Sequence, residues 1–122
     1  MAERISEAEH AVMEVLWQQA PLGAADVAAR IDPARGWSGR TVKTLLSRLL
    51  AKGVIGHEEQ GRRYLYRPAV SRDAYLARES RRLLDRMFGG RITPLVAHLA
   101  EQNRLTPVDI AEIEALLKAL KS

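Results

Sequence analysis

The chain has 122 residues, enough for one ordinary domain or for two small subdomains sharing a core. Hydrophobic residues make up 47% and charged residues 28%, a globular rather than disordered balance, and with aromatics at only 5% the core must be built from Leu, Ile, Val and Ala. Net charge is +4, and the absence of cysteine and of any run of about 18 apolar residues excludes disulfides, thiol catalysis, thiolate metal sites and a transmembrane helix.

Met1-Ala2-Glu3-Arg4 has no apolar stretch, so no secretory signal is expected and a cytoplasmic protein is the simplest reading. Ser6-Glu7-Ala8-Glu9 fits a capping box opening a first helix, with Ala8, Val12, Val15 and Leu16 at helical spacing and an end near Gln19, before Pro21. Trp17 is read as core packing. A short second helix covers about 24–31, with Val27, Ala28 and Ile31 inward, and Asp32-Pro33 stops it. Ala34-Arg35-Gly36 is read as a loop. Ser38 caps a third helix, with Trp37 and Val42 at the staple positions that set its approach angle. Val42, Leu45, Leu46 and Leu49 form its apolar stripe, and Gly53 follows as the stop.

Two short strands are expected next, about 54–58 and 62–67, with Gln60-Gly61 as their turn and Pro68 as the end. In the second, Arg62, Tyr64 and Tyr66 alternate with Arg63, Leu65 and Arg67; the tyrosines are read as packing the hairpin on the helices. The remainder reads as three helices. Ser71 caps one over about 72–88, with Leu76, Leu83, Leu84 and Met87 on one side, and Gly89-Gly90 break it. Thr93 caps the next, with Pro94 at its first position, running to about Gln102. Thr106-Pro107-Val108-Asp109 opens the last, with Leu105 and Ile110 at staple positions.

Three helices in about 50 residues followed by a basic hairpin predict a winged helix-turn-helix domain. The expected fold is therefore mostly α with a small β-hairpin: a winged-helix DNA-binding domain over residues 1–70 and a three-helix dimerisation domain over 71–122. Three amphipathic helices of this size make a thin core alone, so a second copy is expected to cover their stripes. The interface set is Leu83, Met87, Leu95, Leu99, Ile110, Ile113, Leu116, Leu117 and Leu120.

Charge is unevenly placed. Residues 1–34 carry a net −4, residues 35–67 a net +6 and residues 68–122 a net +2. On a helix wheel Arg40, Lys43, Thr44 and Ser47 fall within about 100° of arc, opposite the aliphatic stripe, with Arg48 at the margin. No Asp or Glu lies between Arg35 and Lys52. A face of cations and hydroxyls on a helix of this size suits the major groove of double-stranded DNA. Arg62 and Arg63 in the wing are expected to meet phosphate or the minor groove.

An enzyme is not expected. The three histidines (His10, His57, His98) lie far apart, and Glu58-Glu59 are adjacent on a strand and point to opposite faces. No metal or cofactor is expected either. Two alternatives share the scaffold. One is a protein-interaction module whose basic face meets an acidic partner. The other is a small-molecule-responsive regulator of the MarR sort, which usually has dimerisation helices at both ends, whereas this reader begins at Ser6.

Ile5-Ser6-Glu7-Ala8-Glu9 through Val15-Leu16-Trp17 resembles the opening helix of the penicillinase and methicillin-resistance repressors, the BlaI/MecI/CopY family. The run from Arg40 to Leu49 (RTVKTLLSRL) is similar to that family's recognition helix, Arg63-Tyr64-Leu65-Tyr66 to its wing, and Phe88-Gly89-Gly90 with Leu95-Val96 to its dimerisation region. The resemblance implies a homodimeric repressor bound to inverted-repeat operators with TACA and TGTA half-sites. It implies Lys43 and Thr44 as base readers, with Arg40, Thr41, Ser47 and Arg48 on phosphate or neighbouring bases. In the antibiotic-sensing branch a membrane metalloprotease pathway leads to cleavage at an Asn–Phe bond, which would make a protease a further partner. The matching positions here are His98-Leu99, a departure from the pattern on which that cleavage rests. The copper-sensing branch carries cysteines that this chain lacks, which rules out a thiolate copper switch.

Overall fold

The computed structural model describes residues 4–122; Met1-Ala2-Glu3, on which the reading for a secretory signal rests, lie outside the described residues. The elements run α1 (Glu7–Gln18), α2 (Ala24–Arg30), α3 (Gly39–Ala51), β1 (Ile55–Gln60), β2 (Arg63–Pro68), α4 (Arg72–Met87), α5 (Ile92–Glu101) and α6 (Pro107–Lys121). This is the mostly α chain with one antiparallel hairpin that the patterning predicts. It divides into two compact units, Met1–Tyr75 and Leu76–Ser122. No described helix is long and apolar enough to cross a membrane.

In the first unit the helix starts are chemically local. The Ser6 hydroxyl accepts from the Glu9 amide at 3.1 Å, and Glu9 Oε1 accepts from the Ser6 amide at 2.7 Å, the reciprocal bonds of a capping box. The Gly23 amide donates to Asp26 Oδ2 at 3.3 Å at the start of α2. The segment read as a loop at 34–36 contains one 3-10 turn, Pro33–Arg35. Asp32 Oδ1 accepts from the Ala34 amide at 2.9 Å, and proline presets the φ that the turn needs.

The Ser38 hydroxyl accepts from the Thr41 amide at 3.2 Å and opens α3. Ser38→Ala is expected to cost about 1 kcal/mol by removing this cap. Urea denaturation would read it, and the binding-competent fold should persist.

Val12, Met13, Val15 and Leu16 of α1, Val27 of α2 and Val42, Leu45, Leu46 and Leu49 of α3 are buried in one cluster. Leu22, Ile31, Val54 and Ile55 complete it. The expected helical stripes thus face one another, and each element buries what its period exposes on one side.

The hairpin turn lies one residue later than the sequence suggests. Gln60 pairs with Arg63, so Gly61-Arg62 is the connection and Arg62 belongs to the turn rather than to β2. Gly61 takes φ 66°, a left-handed value that favours glycine at the first central position. Leu65 is buried, and Tyr66 is half-buried against the core. Leu22 joins the hairpin through backbone bonds in both directions with Tyr66, at 3.1 and 2.8 Å.

The first turn of α4 closes this unit. Ser71 caps it by accepting from the Ala74 amide at 3.1 Å. The Trp17 indole N–H donates to the Val70 carbonyl at 2.9 Å. The buried Tyr75 ring stacks on His10 at 5.6 Å and tilts on Trp17 at 5.4 Å. Arg72 donates to Glu14 at 3.0 Å.

In the second unit Gly89 and Gly90, with φ 62° and 79°, end α4, and the Gly90 amide donates to the Leu84 carbonyl at 2.8 Å. The start expected at Thr93 is displaced. Helix α5 begins at Ile92 with Arg91 as its cap and no side-chain bond, which puts Thr93 and Pro94 inside the first turn. A proline is tolerated there because the first amides of a helix have no intrahelical acceptor to lose. Thr106 and Asp109 form a capping box at α6, each bond 3.1 Å, with Pro107 at the first position. No residue from 76 to 122 is buried.

Candidate nucleic-acid interface

Helix α3 divides cleanly. Val42, Leu45, Leu46 and Leu49 are in the core with Leu50 half-buried beside them, and Arg40, Lys43, Thr44, Ser47 and Arg48 on the other side are exposed. Thr41 is half-buried, with its hydroxyl 3.2 Å from that of Ser38. The Thr44 hydroxyl donates to the Arg40 carbonyl at 3.0 Å. That bond engages the single proton of the hydroxyl, so Thr44 offers outward an acceptor and a methyl group.

The basic block of residues 35–67 separates into two populations. Arg35 donates to Glu7 at 3.1 Å and lies 4.7 Å over the Trp37 ring. Lys52 Nζ donates to Glu9 Oε1 at 2.7 Å and to the Arg4 carbonyl at 2.9 Å. Arg63 donates to Asp26 at 2.9 Å, and Arg67 is paired with Glu58. Among the described residues, Arg40, Lys43, Arg48 and Arg62 have no carboxylate partner. Four cations on α3 and at the wing tip are therefore available to an outside anion, while the other four are engaged by carboxylates of the chain itself.

Between the start of α2, Lys43 and the wing lies a groove of about 330 Å³ whose lining includes Asp26, Arg62 and Arg63. Tyr64 departs from the packing role expected for it: it is exposed, while Tyr66 is half-buried. Tyr64 stands opposite Glu59 near the tip, beyond the reach of the helical core, and meets the His57 ring edge at 4.8 Å. The Glu59 carboxylate holds its phenol above the ordinary value.

Charge pairing also sets the carboxylates. The Arg35 hydrogen bond holds Glu7 below its ordinary value and raises Arg35 in turn. For Glu9, burial pushes the carboxyl up, but the Lys52 ammonium and the Ser6 amide and hydroxyl outweigh it and leave it lowered. Glu9 is only 2% exposed. The capping box predicts its bond to Ser6 but not its burial, which follows from Val12, Met13 and Leu16 standing three, four and seven positions on and placing a carboxylate on the apolar stripe. The pairings of Arg35, Lys52 and Arg63 join residues 28 to 43 positions apart and leave no sequence signal.

In the second unit the expected interface residues fall into two groups. Leu83, Met87, Ile110, Leu116, Leu117 and Leu120 are exposed, and Leu95, Leu99 and Ile113 are half-buried. His98 is exposed beside Leu99 in the later part of α5. Among the described residues no three His, Asp or Glu are grouped to hold a metal ion.

A family model described as penicillinase repressor matches residues 5–119. The chain is similar to the penicillinase repressor of Bacillus licheniformis, with 29% identity over 119 residues that cover 98% of this chain and 93% of the relative. It is similar to the methicillin resistance regulatory protein MecI of Mammaliicoccus sciuri, with 27% identity over 113 residues, 93% of this chain and 92% of the relative. Among solved structures it is similar to the Bacillus licheniformis BlaI monomeric form in complex with the blaP half-operator. That match has a TM-score of 0.52 and 32% identity and covers 62% of this chain and 92% of that one.

Proposed function

This chain belongs to the penicillinase repressor family, whose members are DNA-binding transcriptional repressors and not enzymes, and we propose that it acts as a cytoplasmic homodimer on an inverted-repeat operator. Residues 1–70 read the double-stranded DNA and residues 71–122 join the two copies. The observation that carries this reading is α3: its apolar face is the core of the first unit, and its opposite face holds only hydroxyls and cations free of carboxylate partners. The BlaI monomer bound to a half-operator supports one copy per half-site.

Two copies place their α3 helices in successive major grooves, about one helical turn apart. Lys43 and Thr44 face the bases. Lys43 reaches guanine acceptors, and Thr44, with its proton on the Arg40 carbonyl, sets its methyl against a thymine methyl. Arg40, Thr41, Ser47 and Arg48 hold phosphate or neighbouring bases, and Arg62 at the wing tip meets phosphate or the minor groove. Repression follows from occlusion of the promoter, and release from weakening the dimer, because a single half-site binds poorly.

Fluorescence anisotropy with a TACA/TGTA inverted-repeat duplex and a scrambled duplex tests the reading. A preference of about 10³ or more, saturating at two chains per duplex, is expected. Equal weak binding to both would overturn it. Lys43→Ala is expected to cost about 1–3 kcal/mol and to relax specificity at one base position. A loss uniform across sequences would make Lys43 a phosphate contact instead.

A further inference from the structure

We propose that Arg63 is a positioning residue rather than a DNA contact: with Asp26 and Gly23 it forms a clasp that sets the angle of the wing against α3. The inference rests on the reading that α3 and the wing tip face DNA.

The Arg63 guanidinium is held on two sides. Its Nη2 donates to Asp26 Oδ2 at 2.9 Å. That carboxylate does not swing freely, because the same oxygen accepts from the Gly23 amide at 3.3 Å. The guanidinium also lies against Gly23 itself: a Cβ built there would stand 2.9 Å from Nη2 and 3.4 Å from Cζ and Nε. Gly23 has φ −77°, an ordinary value for any residue. A side chain at this point would therefore push the guanidinium, the far end of a flexible side chain, off its present seat without straining the backbone.

The clasp has a second attachment beside it. Leu22, one residue before Gly23, pairs through its backbone with Tyr66, three residues after Arg63. Ile55 in the core and this bridge fix the root of the hairpin and leave its tip to be set. The bridge at Tyr66 and the clasp at Arg63, nearer the tip, together set its pitch. Exposed ion pairs add little to stability, so the pair acts through geometry. Adjacent Arg62 sits in the turn with no carboxylate partner among the described residues, free to meet an anion. If Arg63 turned to phosphate instead, it would abandon Asp26 and leave a bare carboxylate in the groove beside Lys43.

The test compares Asp26→Asn, Gly23→Ala, Arg63→Gln and Arg62→Gln in the full-length protein on the inverted-repeat duplex across salt. The sign for Asp26→Asn is diagnostic. The clasp predicts weaker binding by about fivefold, a usual size for coupled neighbours. Gly23→Ala should match it, and Asp26→Asn with Arg63→Gln together should be no worse than either alone. Arg63→Gln should leave the slope of log K against log salt unchanged, whereas Arg62→Gln should lower it by about 0.9. Tighter or unchanged binding by Asp26→Asn, or a slope lowered by Arg63→Gln, would overturn the proposal. A readout without DNA is amide exchange at Leu22 and Tyr66, expected to quicken in Asp26→Asn and Gly23→Ala; unchanged exchange also overturns the clasp. Failure of the operator reading is separate: it would show as a wild-type protein without preference for the repeat, or as an Arg62→Gln slope that does not move.

Discussion

Replacing Leu116 and Leu117 together by Asp is expected to give a monomer whose operator affinity is lower by about 10²–10⁴-fold. The second unit has a capped start at α6 and a glycine stop after α4 but no buried residue. On α6, Leu116 is 65% exposed, Leu117 50% and Leu120 81%. These residues lie within one arc of the helix, so the stripe is continuous, and its burial against a second copy would supply the core that the unit lacks alone. Because both leucines are exposed within the chain, the substitutions remove little from the chain's own fold, and the cost falls on association. Two carboxylates in such an interface would be desolvated without partners. Light scattering during size exclusion would give the mass, and anisotropy on full and half operators the affinities. The variant should bind a half-operator as well as the parent does and lose only the gain from two linked sites. A variant that stays dimeric would move the interface off α6.

Lys52→Ala is expected to cost about 3 kcal/mol of stability, because it strands the Glu9 carboxylate in the core. The figure is at the low end for a broken buried pair because Lys52 is itself 20% exposed. The pair joins the start of α1 to the end of α3, so the loss should show in global unfolding by urea. It should also depend on pH. In the parent, Glu9 is held below its ordinary 4.5, so its contribution is complete above that value and is lost as pH falls through the lowered one. Without Lys52, only the Ser6 amide and hydroxyl oppose burial, so the Glu9 carboxyl moves up from its value in the parent and gives less stability above the ordinary carboxylate range. The gap between parent and variant should therefore narrow on acidification from about pH 7 to about pH 4. A constant gap would mean that Glu9 is solvated once Lys52 is gone.

The helices, the hairpin and the exposed face of α3 were legible because each is written in local spacing. Val42, Leu45, Leu46 and Leu49 repeat at the helical period, and all four are buried. The turn was misplaced by one residue because Gln60-Gly61 and Gly61-Arg62 both satisfy a glycine-containing connection, and only the Gln60–Arg63 pairing separates them. The start of α5 was misplaced because Thr93-Pro94 looks like a cap and a first position, whereas the chain leaving Gly90 is already extended at Arg91.

The charge of the site was the least legible feature. A basic block counts Arg35, Lys52, Arg63 and Arg67 alongside Arg40, Lys43, Arg48 and Arg62. What distinguishes them is an acidic partner brought close by folding, and three of those partners lie in the acidic N-terminal third: Glu7, Glu9 and Asp26. Some of the opposite charge on the first and second stretches therefore belongs to the same ion pairs, seen from either end.

Trp17 has a consequence for how this molecule can be watched. Its indole N–H is tied to the Val70 carbonyl, and its ring touches His10 and Tyr75, at the point where the wing gives way to α4. Detaching that junction would expose the indole to water and shift its emission to the red. The only other tryptophan, Trp37, lies under Arg35 just before α3. The chain thus carries one tryptophan at the root of α4 and one at the threshold of α3, and replacing either by Phe would isolate the optical signal of the other.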